Sequence, residues 1–244
     1  MTNKIIFLSA VSLFMACKGP ETSEPLFRQP IAMTTIEVKE PSGLSINHTG
    51  DGFMVPSDNK NKIYELSFSG IVKKVLDYKG TDIEGVTQLA DGSVWIVEEQ
   101  SNDLVHLNEH GEFVEKISIP IIQEESKHGL EGITFDELSN EFYLLAEKNP
   151  ARLIKLNSSG SIIEEYDLTF AKDYSGIYYS SSENLLYIVS DQSQLFAKCD
   201  LTGNPIEIYN FEIPKAEGIT VDKANKKVYI VSDKTQGLYT FQVD

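Results

Sequence analysis

Short runs of β-branched and aromatic residues recur along this chain, separated by clusters of turn residues. Lys227-Val228-Tyr229-Ile230-Val231 and Leu186-Tyr187-Ile188-Val189 are two of them. Apolar runs of this length, bounded by Gly, Asn, Asp and Ser, read as strands. No stretch beyond residue 34 sustains a 3.6-residue period, so the predicted fold class is all-β with little helix.

The strands are organised by a repeat. A small or acidic residue, then Gly, then an aliphatic residue recurs as Ser42-Gly43-Leu44, Glu84-Gly85-Val86, Glu131-Gly132-Ile133, Ser175-Gly176-Ile177 and Glu217-Gly218-Ile219. These glycines are 42, 47, 44 and 42 residues apart. A second glycine follows the first by 27, 26, 28 and 27 residues, at Gly70, Gly111, Gly160 and Gly203. Four strands fit each unit, as in 132–136, 141–146, 152–157 and 161–167. The second glycine then falls in the hairpin between strands three and four, where a positive φ is needed.

Four-stranded units of this length stacked around an axis make a β-propeller. Five blades fit residues 34–244; an open or sandwich arrangement of the same strands is the competing architecture. The fifth unit stops after three strands, the last of them at 238–243. Thr35-Ile36-Glu37-Val38 is the predicted donor of its fourth, which would close the ring and remove two sheet edges. Tyr64, Tyr143, Tyr187 and Tyr229 recur in strands two and three and are expected to fill the space between blades.

The N-terminus has another pattern. Lys4 is followed by an apolar run of 12 residues, Ile5 to Ala16, too short to cross a hydrocarbon core of about 30 Å at about 1.5 Å per residue. It reads as a signal peptide, 1–16. Met15-Ala16-Cys17 resembles a lipobox, departing from the usual pattern at Phe14. Cys17 is therefore the expected lipid attachment site, residues 17–33 a tether, and the cell envelope, as a membrane-anchored lipoprotein facing the outer membrane or periplasm, the expected address. An ordinary secretory signal with an incidental cysteine is the alternative. Cys199 would then be the one cysteine in the propeller, in an alternating strand, and is read as a small buried hydrophobe.

Composition narrows the partners. Twenty-one Lys and Arg against 37 Asp and Glu give a formal charge of −16. Nucleic acid, which needs clustered cations, is excluded as the expected partner. A small-molecule or protein ligand and the membrane are expected instead, with the chain a monomer.

Glu40-Pro41-Ser42-Gly43-Leu44, Val97-Glu98-Glu99, Leu130-Glu131-Gly132-Ile133, Ser190-Asp191, Ala216-Glu217-Gly218-Ile219 and Ile230-Val231-Ser232-Asp233 together resemble the SdiA-regulated family of exported bacterial proteins. That resemblance implies a periplasmic or surface propeller, often membrane-anchored, and assigns no activity.

Two acidic sets are predicted to meet at one face of the ring. Glu84, Glu131 and Glu217 precede the repeat glycine, with Ser42 and Ser175 in the other blades. Asp58, Glu99, Glu147, Asp191 and Asp233 end strand two, with Glu98 beside them. A carboxylate repeated in every blade favours a structural role, accepting loop amides. The pre-glycine glutamates instead point toward a shared axis and are the candidate metal ligands, with Ca²⁺ the expected cofactor; a solvated or structural rim is the other reading.

Enzyme motifs are missing: there is no Gly-x-Ser-x-Gly, His-Glu-x-x-His or Walker loop. Of four scattered histidines, His48 among them, His106 and His110 read as structural or solvated, and His128 is the one candidate general base. No catalytic residue is assigned. The expected function is an exported, lipid-anchored binding or scaffold module with an acidic channel mouth. The alternative, resting on fold analogy, is a metal-dependent propeller hydrolase of lactonase or phosphoesterase type.

Overall fold

In each repeat the second strand is apolar almost throughout, and this decides where it goes. Phe53-Met54-Val55, Val94-Trp95-Ile96-Val97 and Leu186-Tyr187-Ile188-Val189 are buried along their whole length, so both faces of these strands meet other sheets. The fourth strand carries charge, as in Phe113–Ser118 and Ile162–Asp167, and is largely exposed. That gradient from axis to solvent builds a radial blade.

The computed structural model describes residues 26–121 and 129–243, and among them there is no helix. Blade 1 contains Ser45–Ile46, Gly52–Ser57, Lys62–Ser67 and Val72–Val75. Blade 2 contains Ile83–Gln88, Val94–Glu98, Asp103–Leu107 and Phe113–Ser118. Blade 3 contains Leu130–Asp136, Glu141–Ala146, Arg152–Asn157 and Ile162–Asp167. Blade 4 contains Gly176–Ser180, Leu185–Ser190, Leu195–Cys199 and Pro205–Asn210. Blade 5 contains Ala216–Asp222, Lys227–Ser232 and Gly237–Gln242, and its outer strand is Ala32–Thr35. Gly70, Gly111, Gly160 and Gly203 take φ between 77° and 85° in the hairpins before the outer strands.

The hydrophobic core is divided into five clusters, one at each blade-to-blade contact. Five blades share five contacts only if the ring is closed. The closing cluster joins Tyr229, Val231 and Leu238 of blade 5 to Phe53, Val55 and Leu66 of blade 1. Tyr143, Tyr187 and Tyr229 each belong to such a cluster, and Tyr64 packs against one. Cys199 is buried between blades 3 and 4, where desolvation raises its thiol pKa.

Closure by the N-terminal strand is as predicted, but the strand is not the predicted segment. Ala32 pairs with Thr240 and Thr35 with Gly237, antiparallel, three residues earlier than expected. The next four residues leave the ladder after Ile36 N–H donates to the Gln236 carbonyl at 2.8 Å. Ile36 and Val38 drop into the closing cluster, fully buried. Their β-branched character comes from packing beneath the last blade and not from pairing with it. Residues 26–33, read as tether from the sequence, are likewise docked, because the outer strand of blade 4 has an unpaired edge. Leu26–Phe27 adds to that edge in parallel.

Candidate functional site

All five inner strands run the same way along the axis, so equivalent positions form rings. The repeat glycines make the narrowest one. A Cβ on Gly43 would lie 2.5 Å from the Glu84 carbonyl oxygen, and one on Gly176 would lie 2.7 Å from that of Glu217. None of these glycines has positive φ, so close approach of neighbouring backbones is what excludes a side chain. The neck they leave encloses about 10 Å³. It separates a cavity of about 310 Å³ at the mouth where the inner strands begin from one of about 220 Å³ where they end.

The first of these cavities is acidic because two loops of each blade are stitched together above the neck. The residue that follows the second strand donates its N–H to the residue three before the glycine. These bonds are Asp58 to Glu40 at 3.1 Å, Glu99 to Asp82 at 2.9 Å, Glu147 to Gly129 at 3.2 Å and Asp233 to Lys215 at 3.0 Å. In blade 4 the Asp173 carboxylate serves instead, accepting from Gln192 N–H at 3.1 Å and from the Ser190 hydroxyl. Glu40, Asp82 and Lys215 hold left-handed φ of 46°, 56° and 53° to make the stitch. That conformation costs about 1–2 kcal/mol for a side-chain-bearing residue.

The two predicted acidic sets do meet here. Glu84, Glu131 and Glu217 all line the cavity. Their nearest partners differ. Carboxylate oxygens of Asp58, Asp82 and Glu84 lie within 4.8 Å of one another, and so do those of Glu99, Glu131 and Glu147. Glu217 stands apart from both groups, with Lys215 Nζ at 4.0 Å. The serines at the same ring position turn away from ligand duty: Ser42 donates to the Ile83 carbonyl at 2.6 Å and Ser175 to that of Ala216 at 2.7 Å, linking neighbouring blades.

Crowding and burial in the cup shift several of its carboxylates toward their protonated forms. Burial raises the pKa of Glu84 and Glu131 well above the ordinary carboxylate range, and the neighbouring charges of Asp58 and Glu99 around the first, and of Glu84, Glu99 and Glu147 around the second, push further. Burial lifts Glu99 to about 7, against a lowering bond from Gly129 N–H at 3.0 Å. It lifts Glu217 to about 7, with Lys215 opposing. Asp58 and Asp233 are raised by burial as well. Among the described residues two cations line the cup, Lys148, whose Nζ is 2.5 Å from Glu147, and Lys215.

The strand-two set splits as its chemistry requires. Glu99 and Asp191 accept loop amides, Asp191 from Ala216 N–H at 3.3 Å, the structural role expected of a repeated carboxylate. Asp58 and Glu147 belong to the three-carboxylate groups, and Glu99 serves both duties. Glu98 is a correction: it lies outside the cup, buried on the other face of its strand. There it accepts from Lys116 Nζ at 2.6 Å, Thr81 N–H at 2.9 Å and Tyr78 OH at 3.1 Å. Adjacent strand residues point to opposite faces, so Glu98 and Glu99 cannot share a site.

Sequence reasoning missed a third acidic ring, three residues before the glycine, where Glu40, Asp82 and Asp173 stand. The fixed offset was available as a signal. Gly129 and Lys215 at the same offset hid it. Among the described residues no histidine lines the cup: His106 stacks on Trp95 at 4.2 Å and His110 sits exposed beside Glu109. Cys17 and His128 lie outside the described residues.

A profile of the SdiA-regulated family matches residues 22–242. The chain belongs to the SdiA-regulated family. Within this SdiA-regulated protein the match takes in every blade and the docked N-terminal segment. Solved structures with a similar fold include a streptogramin B lyase, 20% identical with a TM-score of 0.54 over 87% of this chain and 72% of that one. A selenomethionine-substituted virginiamycin B lyase from Staphylococcus aureus is 18% identical, with a TM-score of 0.51 over 87% and 73%. At these identities the likeness is one of propeller fold.

Proposed function

We propose that this propeller is an exported, lipid-anchored binding module whose acidic cup captures a hard divalent cation, with Ca²⁺ the fitting ion, or a ligand presenting positive charge. The observation that carries the reading is the packing of Glu84 and Glu131 into two separate three-carboxylate groups inside one cavity. Oxygen-rich, flexible, mixed sets of this kind suit Ca²⁺, which takes six to eight oxygens. Each group supplies three carboxylates, leaving positions for water or for a ligand's own oxygens. Glu217, beside Lys215, then serves as a wall of the cup and not as a shared ligand of one central ion. The cup is uneven: the carboxylate groups lie where blades 1, 2 and 3 meet, whereas Lys148 and Lys215 stand on blades 3 and 5. Strict repetition would serve folding alone, and this departure from it is what a ligand with a definite orientation would use.

Titration calorimetry with CaCl₂ on chelator-treated protein tests the reading. Saturable binding, with about 2.7 kcal/mol of added stability at 100 times the dissociation constant, is the expected result. No heat of binding, together with melting indifferent to chelator, refutes the calcium site.

A further inference from the structure

We propose that the outer edges of blades 4 and 5, where the N-terminal segment crosses them, are the side of the molecule that rests on the lipid surface. The inference rests on the reading of Cys17 as the lipid-bearing residue. Leu26, Phe27, Ile31 and Met33 are exposed by 48%, 53%, 59% and 50%. Their backbone is pinned. Leu26 and Phe27 pair with Tyr209 and Asn210, Arg28 N–H donates to the Asn210 carbonyl at 2.7 Å, and Ile31 N–H donates to that of Thr240 at 2.7 Å. The apolar side chains are therefore presented outward by a fixed ribbon.

Charge sets this ribbon apart. Residues 25–36 contain no Asp or Glu, in a chain of net charge −16, and their single charge is Arg28, whose guanidinium lies 5.4 Å above the Tyr209 ring. Exposed apolar residues elsewhere are interleaved with charge: Ile71 and Val75 flank Lys73-Lys74, and Phe113-Val114 sits between Glu112 and Glu115. An acidic protein approaches an anionic bilayer with least repulsion through this acid-free ribbon, and the one carboxylate of the blade 4 strand it docks on, Glu207, is paired with Lys198 Nζ at 3.1 Å. Position agrees with charge. Eight residues, 18–25, separate Cys17 from Leu26, a reach of at most about 29 Å at about 3.6 Å per residue. A lipidated Cys17 thus keeps this edge close to the chain's own anchor, and exposed apolar residues at such a distance bury into the interface as a second attachment.

The test uses the full lipidated chain in vesicles of phosphatidylethanolamine and phosphatidylglycerol. A nitroxide is attached at Phe27→Cys or Ile31→Cys, with Ile71→Cys as the control on blade 1, and the unlipidated Cys17→Ser version of each serves as the solution reference. Collision with a water-soluble nickel chelate is measured. A several-fold loss of collision at 27 and 31, with no change at 71, is expected. Equal accessibility of all three labels on protein that floats with the vesicles overturns the docking edge and leaves the anchor standing. Failure of the wild-type chain to float with vesicles overturns the anchor and the edge together.

Discussion

Gly218 is pressed against Gly43: a Cβ on Gly218 would lie 2.5 Å from the Gly43 carbonyl carbon and 2.5 Å from the Leu44 nitrogen. This contact joins the last blade to its neighbour in the ring, the first. Both obstructing atoms are backbone, so they cannot move aside as a side chain would. Gly218→Ala is expected to destabilise the protein by about 2–3 kcal/mol, the upper range for overpacking. Gly132→Ala should cost less, since its nearest neighbours are side-chain carbons of Ile177 and Leu145 at 3.1 and 3.2 Å. Urea unfolding of the two variants side by side measures the difference.

The cup makes stability depend on pH in a direction opposite to the common one for carboxylates. Glu99 and Glu217 have folded pKa values of about 7 against an ordinary 4.5. Between those values the folded state binds more protons than the unfolded one, so stability falls as pH rises through the window. In chelator, melting temperature should drop between about pH 5 and pH 7.5, each unit of displacement being worth about 1.4 kcal/mol at most. Calcium should flatten or reverse the slope by favouring the ionised carboxylates.

Glu131→Gln separates a ligand from a structural carboxylate. It keeps the size and removes one charge from the Glu99–Glu131–Glu147 group. Thermal melting should show the metal-free variant equal to or more stable than wild type, with calcium stabilisation falling by about 1.4 kcal/mol or more, a loss of affinity of roughly tenfold or more. Destabilisation of the same size with and without calcium would return Glu131 to a structural role.

Glu98 and Glu99 are neighbours with separate duties. Lys116→Met leaves the buried Glu98 carboxylate without its cation, and should cost about 2–4 kcal/mol, since removing one partner strands the other. Calcium affinity should be unchanged. Glu99→Gln should show the reverse pattern, with a small stability change and weakened calcium binding, both read by calorimetry and urea unfolding.

Cys17→Ser should move the protein from the membrane fraction to the soluble fraction of cells. Mass spectrometry of membrane-extracted wild-type protein should find the lipid on Cys17. An unmodified Cys17 in soluble mature protein would remove the anchor from this account.

What could be read from the chain and what could not divides by physical cause. The repeat glycines were legible because two separate constraints, a crowded neck at Gly43 or Gly218 and a positive φ at Gly70 or Gly203, each admit little else. The pairing partner of the last strand was misplaced by three residues, because Ile36 and Val38 look more like a strand than Ala32-Met33 does. Their composition reports burial, and burial in a connecting segment looks the same as burial in a sheet. Facing direction was equally hidden for Glu98, whose partners Lys116 and Tyr78 come from outside its own strand. The convergence of Glu84 and Glu131 on one cavity followed from the repeat. Their separation into two groups followed from Asp82 and Gly129, which occupy equivalent places with different chemistry.

The pairing of Ala32–Thr35 with Gly237–Gln242 also sets an order in time. Residues 32–35 emerge early in synthesis and must wait for nearly the last described residues before they find their partner. Until then the growing protein is an open arc with one unfinished face at each end. Bringing ends about 205 residues apart together from a disordered chain would cost roughly 5 kcal/mol in entropy, but blades completed in between shorten that search to a gap already nearly closed. A chain cut short anywhere before residue 237 therefore loses the lock on the whole ring as well as its last blade. Closure of the ring is thus decided at a single seam.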